Sequence, residues 1–212
     1  MAKGSVKTIA PFIIVSLMLS FGLLINSGVL LIILILVSWA LSLFVVYFFR
    51  DPNRRLPTGD KSIISPADGK IILIETEQSH PFFTGSVIKL SIFMSVFDVH
   101  VNRYPISGKI IHFNYSEGKF LPAYQDVASF ENEQTTIVIE GDALKILFKQ
   151  IAGIIARRIV CHAREGARVE MGERCGMIKF GSRVDMVMPA SVNLNVKLND
   201  TVRAGHTIIG TY

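Results

Sequence analysis

Between Lys7 and Arg50 the chain carries no charged side chain. About 20 apolar residues cross the hydrocarbon core of a bilayer, and this run holds roughly twice that. Lipid offers no partner for a backbone N–H or C=O, so such a segment must fold as helix. Asn26-Ser27-Gly28 interrupts it with turn residues, dividing it into segments of about 17 and 21 residues. The reading is a two-helix transmembrane hairpin over residues 1–50. Val29 to Phe49 is too long for the apolar stretch of a signal peptide. Lys3 and Lys7 precede the hairpin, and Arg50, Arg54, Arg55 and Lys61 follow it. Positive charge on both flanks places both ends, and all that follows, on the cytoplasmic side of the cell membrane.

The net charge of +5 is concentrated at this collar, because none of the 17 acidic residues precedes Asp51. The collar suits anionic lipid headgroups, and no basic cluster further on argues for nucleic acid. Residues 51–60, with Pro52, Pro57 and Gly59, read as a linker, leaving 61–212 for one domain. Its pattern is mainly β. Ile71–Ile74, Val87–Phe93, Thr136–Ile139 and Leu144–Phe148 are β-branched-rich runs of strand length between turn residues. Pro122 to Glu133 reads as an irregular loop. Val169–Cys175 and Val196–Val202 form a weak internal repeat, each followed by a glycine, a short apolar run and a second glycine. Such repeated units resemble the barrel-sandwich architecture of biotinyl and lipoyl carrier domains. Cys161 and Cys175 lack the paired spacing of a zinc or redox site and read as reduced structural residues. His80, His112, His162 and His206 show no metal-site spacing.

Gly181-Ser182 is the pair with chemistry of its own. Glycine presents no side chain to an approaching nucleophile, so the Ser182 hydroxyl can attack the carbonyl before it and turn the amide into an ester. Elimination then cuts the chain, and loss of ammonia leaves a pyruvoyl group where Ser182 stood. Gly-Ser is also a common turn signal, so the order of motifs matters. A membrane hairpin is followed by Ser65-Pro66-Ala67-Asp68-Gly69, then by Phe97-Asp98-Val99-His100-Val101-Asn102-Arg103-Tyr104-Pro105, then by Phe180-Gly181-Ser182-Arg183. This combination resembles the short form of the pyruvoyl-dependent phosphatidylserine decarboxylase family, which includes archaetidylserine decarboxylase-like members. The resemblance covers essentially the whole chain.

The resemblance implies a self-cleaving decarboxylase with Ser182 converted to the pyruvoyl cofactor. The large chain would be 1–181 and the small chain 182–212, held together as a heterodimer. Its substrate would be a phosphatidylserine-type membrane lipid, diacyl or archaeal ether, converted to the ethanolamine lipid and carbon dioxide. Decarboxylation leaves a carbanion that no ordinary side chain can delocalise, and a pyruvoyl carbonyl supplies the missing sink. His100 is the acid–base candidate, since imidazole exchanges protons near neutrality; a buried core histidine is the competing reading. Long-form members carry a second histidine three residues on, where this chain has Arg103, and guanidinium cannot act as a base. His162 is the reserve base. Asp68 matches an aspartate described as orienting a histidine, although Pro-x-Asp-Gly is turn chemistry by itself. Arg157 and Arg158 are candidates for the lipid phosphate; adjacent strand residues face opposite ways, so at most one points into a site. A membrane-tethered, non-enzymatic barrel-sandwich adaptor or carrier is the alternative. A carrier needs a lysine at a hairpin tip, and the corresponding tip, Val187-Met188-Pro189-Ala190, has none.

Overall fold

The structure, a computed structural model, describes every residue except 3, 26–27, 60, 120, 123–130, 154–157 and 180–181. It divides into two compact units, Met1–Pro52 and Asn53–Tyr212. The first holds α1 (Val6–Gly22) and α2 (Val29–Phe48). Their contact is polar at its centre. Ser16 Oγ lies 2.6 Å from Ser38 Oγ and 2.9 Å from Ser42 Oγ, and Trp39 Nε1 donates to Ser20 Oγ at 3.1 Å. Small hydroxyl residues let two helices approach closely while each hydroxyl finds a partner. Of the two helices, α2 is long and apolar enough to cross a membrane, and α1 is shorter. Asn26 and Ser27 of the expected turn lie outside the described residues.

The second unit is mainly β, as the sequence leads one to expect. Its strands, among the described residues, are β1 (Ser62–Ile64), β2 (Gly69–Glu77), β3 (Val87–Met94), β4 (Val101–Arg103), β5 (Gly108–Ser116), β6 (Gln134–Glu140) and β7 (Lys145–Ala152). There follow β8 (Ile159–Cys161), β9 (Arg168–Val169), β10 (Arg174–Ile178), β11 (Ser182–Pro189), β12 (Asn193–Leu194), β13 (Thr201–Val202) and β14 (Ile208–Thr211). Eight form a curled half-barrel in the order β13-β2-β3-β11-β7-β6-β5-β9, and two three-stranded sheets run β1-β14-β12 and β4-β10-β8. Each β-branched run seen in the sequence falls in a strand of the large sheet. The expected hairpin tip Val187–Ala190 is corrected: Val187 to Pro189 close β11, paired with β3. Most of the expected Pro122–Glu133 loop lies outside the described residues.

The strand orders conceal an internal two-fold relationship. Exchanging β13 with β9, β2 with β5, β3 with β6 and β11 with β7 leaves the large-sheet order unchanged, and the same operation carries β1-β14-β12 onto β4-β10-β8. The sequence carries it too, as Pro66-Ala67-Asp68-Gly69-Lys70-Ile71-Ile72 and Pro105-Ile106-Ser107-Gly108-Lys109-Ile110-Ile111. Both copies start a strand at glycine for one reason. A Cβ at Gly69 would stand 2.2 Å from the Phe93 carbonyl oxygen, and one at Gly108 2.3 Å from that of Glu140. Both strands slip register at the same place, between Ile71 and Leu73 and between Ile110 and His112. The repeat read from Val169–Cys175 and Val196–Val202 is corrected in its alignment, because the two-fold sets Val169 of β9 on Val202 of β13. The turns that correspond are Glu170–Glu173 with Arg203–His206, around Gly172 and Gly205, and Arg164–Ala167 with Lys197–Asp200, around Gly166 and Asn199.

Strand β11 lies between β3 and β7 and is buried along nearly its whole length. Ser182, Val184, Met186 and Met188 alternate toward the main core, where the last three pack with Ile71, Ile92, Ile110 and Phe148. Arg183, Asp185 and Val187 take the other face. There Arg183 Nε donates to Asp185 Oδ1 and Nη2 to Ser91 Oγ at 2.8 Å.

Candidate active site

Ser182 is the first residue of β11, in register with Met94 of β3 and Ala152 of β7, and fully buried. Its hydroxyl donates to Met94 Sδ at 3.2 Å. A thioether is a weak acceptor, so the oxygen is positioned without being tied up. Gly181 lies outside the described residues.

His100 precedes β4 and is also fully buried. Its Nδ1 lies 3.0 Å from the Asp98 carbonyl oxygen. A carbonyl only accepts, so the neutral ring carries its proton on Nδ1 and its lone pair on Nε2. The turn that presents it is closed locally, with Ser95 N donating to Asp98 Oδ2 at 2.8 Å. His100 O accepts from Ile178 N at 3.3 Å, which ties the histidine segment to the strand leading toward the Gly181-Ser182 bond.

Asp68 is almost buried, and both its carboxylate oxygens are engaged. Oδ2 accepts from Arg54 Nη2 at 2.7 Å and Oδ1 from Ala204 N at 2.7 Å. Burial pushes its carboxyl above the usual range, opposed by the Ala204 N–H and the Arg54 charge; the nearby Asp98 raises it further. The two-fold separates two duties here. In the mate turn, Ser107 Oγ accepts from Met171 N at 2.9 Å, where Asp68 Oδ1 accepts from Ala204 N. Oδ1 therefore closes a turn, as a serine does. The Arg54 contact is what the aspartate adds.

Arg103 is buried, its Nη1 donating to Gly172 O at 2.9 Å. Arg157 lies outside the described residues. Arg158 is exposed, and its carbonyl accepts from Lys179 N at 3.3 Å, beside the chain entering the Gly181-Ser182 segment. His162 is exposed; His80 and His112 pack on Phe83 and Phe82 at ring distances of 5.5 and 4.8 Å. Burial raises both cysteine thiols, which are free. A cavity of about 260 Å³ lined by Glu77, His80, Lys89, Lys149 and Asp185 opens on the face of β11 away from Ser182. Burial lowers the Lys149 pKa there. Among the described residues no group of three or more His, Cys, Asp or Glu could hold a metal ion.

Three buried polar residues at the Ser182 end of the core escape sequence reasoning. Thr135 Oγ1 donates to Gln150 Oε1 at 2.8 Å, Gln150 Nε2 to Asn102 Oδ1 at 2.8 Å, and Asn102 Nδ2 reaches Met94 Sδ at 3.7 Å. Asn102 lies within the His100 motif, but no motif marks Thr135 or Gln150 or links the three, because they come from β4, β6 and β7.

Ser182 opens β11, while His100 and Asp68 are each the residue before a strand, β4 and β2. Residues 41–210 match the family model described as phosphatidylserine decarboxylase. A phosphatidylserine decarboxylase proenzyme of Chlorobium phaeobacteroides (strain DSM 266) is 49% identical over 175 residues, 82% of either chain. Another, from strain BS1 of that species, is 43% identical over 203 residues, 96% of this chain and 95% of the relative. One from Syntrophus aciditrophicus is 48% identical over 172 residues, 81% of either chain. The chain belongs to the phosphatidylserine decarboxylase family. It is a lyase, a decarboxylase of phospholipid biosynthesis, and not a carrier or adaptor.

Proposed function

We propose that this chain is a membrane-anchored zymogen that cuts itself between Gly181 and Ser182 and then decarboxylates a phosphatidylserine-type lipid, diacyl or archaeal ether, to the ethanolamine lipid. The observation that carries the reading is Ser182 itself. It opens the central strand, fully buried, with the Met94 thioether accepting its hydroxyl proton. Free water there would compete for the ester formed during cleavage. The proenzyme names of the relatives agree with a self-processed chain.

The site fits a pyruvoyl group at position 182, since a buried residue between two paired strands is both fixed and shielded. When formed, the group supplies an electrophilic carbonyl that accepts the electron pair released as the carboxylate leaves. His100, with Nδ1 committed to Asp98, offers Nε2 to take up and return the proton. Asp68 acts from the same neighbourhood; it reaches a histidine only if the Arg54 pair opens. One of Arg157 and Arg158 meets the headgroup phosphate, and the hairpin of residues 1–50 tethers the domain, after the 51–60 linker, to the cytoplasmic face.

The headgroup follows from the chemistry. A substrate must offer a primary amine and an adjacent carboxylate; the serine headgroup has both, ethanolamine lacks the carboxylate and choline lacks both. Intact mass of the purified protein tests the reading. Chains 1–181 and 182–212 are expected, the smaller one lacking a free amino terminus. Ser182→Ala stays whole and releases no labelled carbon dioxide from carboxyl-labelled phosphatidylserine or archaetidylserine in mixed micelles. A wild-type protein that is full-length and active would overturn it.

A further inference from the structure

The two-fold relationship supplies an internal control for the buried polar trio. Register carries Asn102 of β4 onto Ile63 of β1, since each pairs with a strand glycine, Gly176 or Gly210. It carries the cross-strand pair Thr135–Gln150 onto Ile88–Met188. Ile63, Ile88 and Met188 are buried members of the main core. One half of the fold thus fills these three positions with hydrocarbon and the other with two amides and a hydroxyl, at least as deeply buried. Burying polar groups costs free energy that hydrogen bonds roughly return at best. The architecture does not need the polar set, so its presence in one half alone calls for a local reason, and what is local to it is Ser182.

The direction of donation points the same way. Thr135 donates to Gln150, Gln150 to Asn102, and the Asn102 amide turns its N–H toward the Met94 sulfur on which the Ser182 hydroxyl also rests. Each link fixes the next, so the Asn102 amide has one orientation. The aligned dipoles present their positive end at Met94 and Ser182 in the buried interior, where such fields are stronger than at the surface.

We propose that Asn102, held by Gln150 and Thr135, is a positioning residue for self-cleavage: acting through Met94, it sets the Ser182 hydroxyl for attack and favours the negative charge that develops there. The proposal rests on the cleavage reading above. In the step it serves, Ser182 Oγ bonds to the Gly181 carbonyl carbon, and the Gly181–Ser182 C–N bond breaks. The hydroxyl proton ends on the freed nitrogen, giving an ester and an amine.

The decisive variant transplants the mate half's residues: Asn102→Ile, Gln150→Met and Thr135→Ile together in the full chain. Because every polar partner leaves at once, no buried donor or acceptor is orphaned. The expected result is an unchanged or raised melting temperature, with cleavage, followed by intact mass after synthesis, slowed at least about tenfold; removal of a direct oxyanion donor costs ~10²-fold or more. Thr135→Ser, which keeps the hydroxyl, cleaves at the wild-type rate, whereas Thr135→Val is slow. A folded triple variant that cleaves as fast as wild type overturns the proposal. Should the triple variant not fold, equal rates for Thr135→Val and Thr135→Ser overturn it instead. A wild-type chain never cut at Ser182 would remove the cleavage reading itself, which is a different outcome.

Discussion

His100 shows how far one residue's neighbours fix its chemistry. The Asp98 carbonyl commits Nδ1 as donor, which leaves Nε2 as the ring atom to exchange a proton. His100→Ala is therefore expected to lower decarboxylation by at least about 10²-fold, the low end for losing a positioned acid–base group. Intact mass assigns its step. A variant still cut at Ser182 places His100 in decarboxylation alone, and slowed cutting places it in both. Near wild-type turnover would return it to the core residues. At this scale the sequence was informative wherever a motif is contiguous, as around Ser182 and His100. It was silent about the Arg54–Asp68 pair, because Arg54 sits in a segment that reads only as linker and basic collar.

Strand β11 is the element on which the assembled enzyme depends. Cleavage at Ser182 would leave β11 to β14 in the small chain, and three of these pair with strands of the large one: β11 with β3 and β7, β13 with β2, β14 with β1. Val184, Met186, Val187 and Met188 are buried, each contributing about 1.5–3 kcal/mol. The two chains should therefore co-elute on size exclusion and part only in denaturant; separation in native buffer would show that the sheet does not hold them. In the sequence β11 shows only as the alternation of Val184, Met186 and Met188 with Arg183 and Asp185, two charges that suggest a solvent-facing side although both are buried. They are tolerated because they pair with each other. The glycine-led strands β2 and β5 were partly legible, but their kinship emerges only when the shared register slip is seen.

For the molecule as a whole, the two compact units predict separable behaviour. Deleting residues 1–52 should give a detergent-free β domain that still cuts itself at Ser182, because the strands around that residue all lie in the second unit. Its turnover of lipid in vesicles should fall more than its turnover in mixed micelles, where substrate is presented without a tether. Equal losses in the two would argue that the hairpin does not serve substrate presentation.

The sequence by itself determined the apolar hairpin, the mainly β domain, the family and the Gly181-Ser182 pair. These are properties of contiguous residues: an uncharged run, β-branched alternation, and a short motif whose chemistry is local. Tertiary structure alone decided what surrounds Ser182. Met94, Asn102, Thr135 and Gln150 meet there because register aligns separate strands. Register is set by packing across the sheet, and no single strand encodes it. It also decided the unequal halves of the two-fold, since a backbone that repeats accepts hydrocarbon or polar side chains at the same positions, provided each polar group finds a partner.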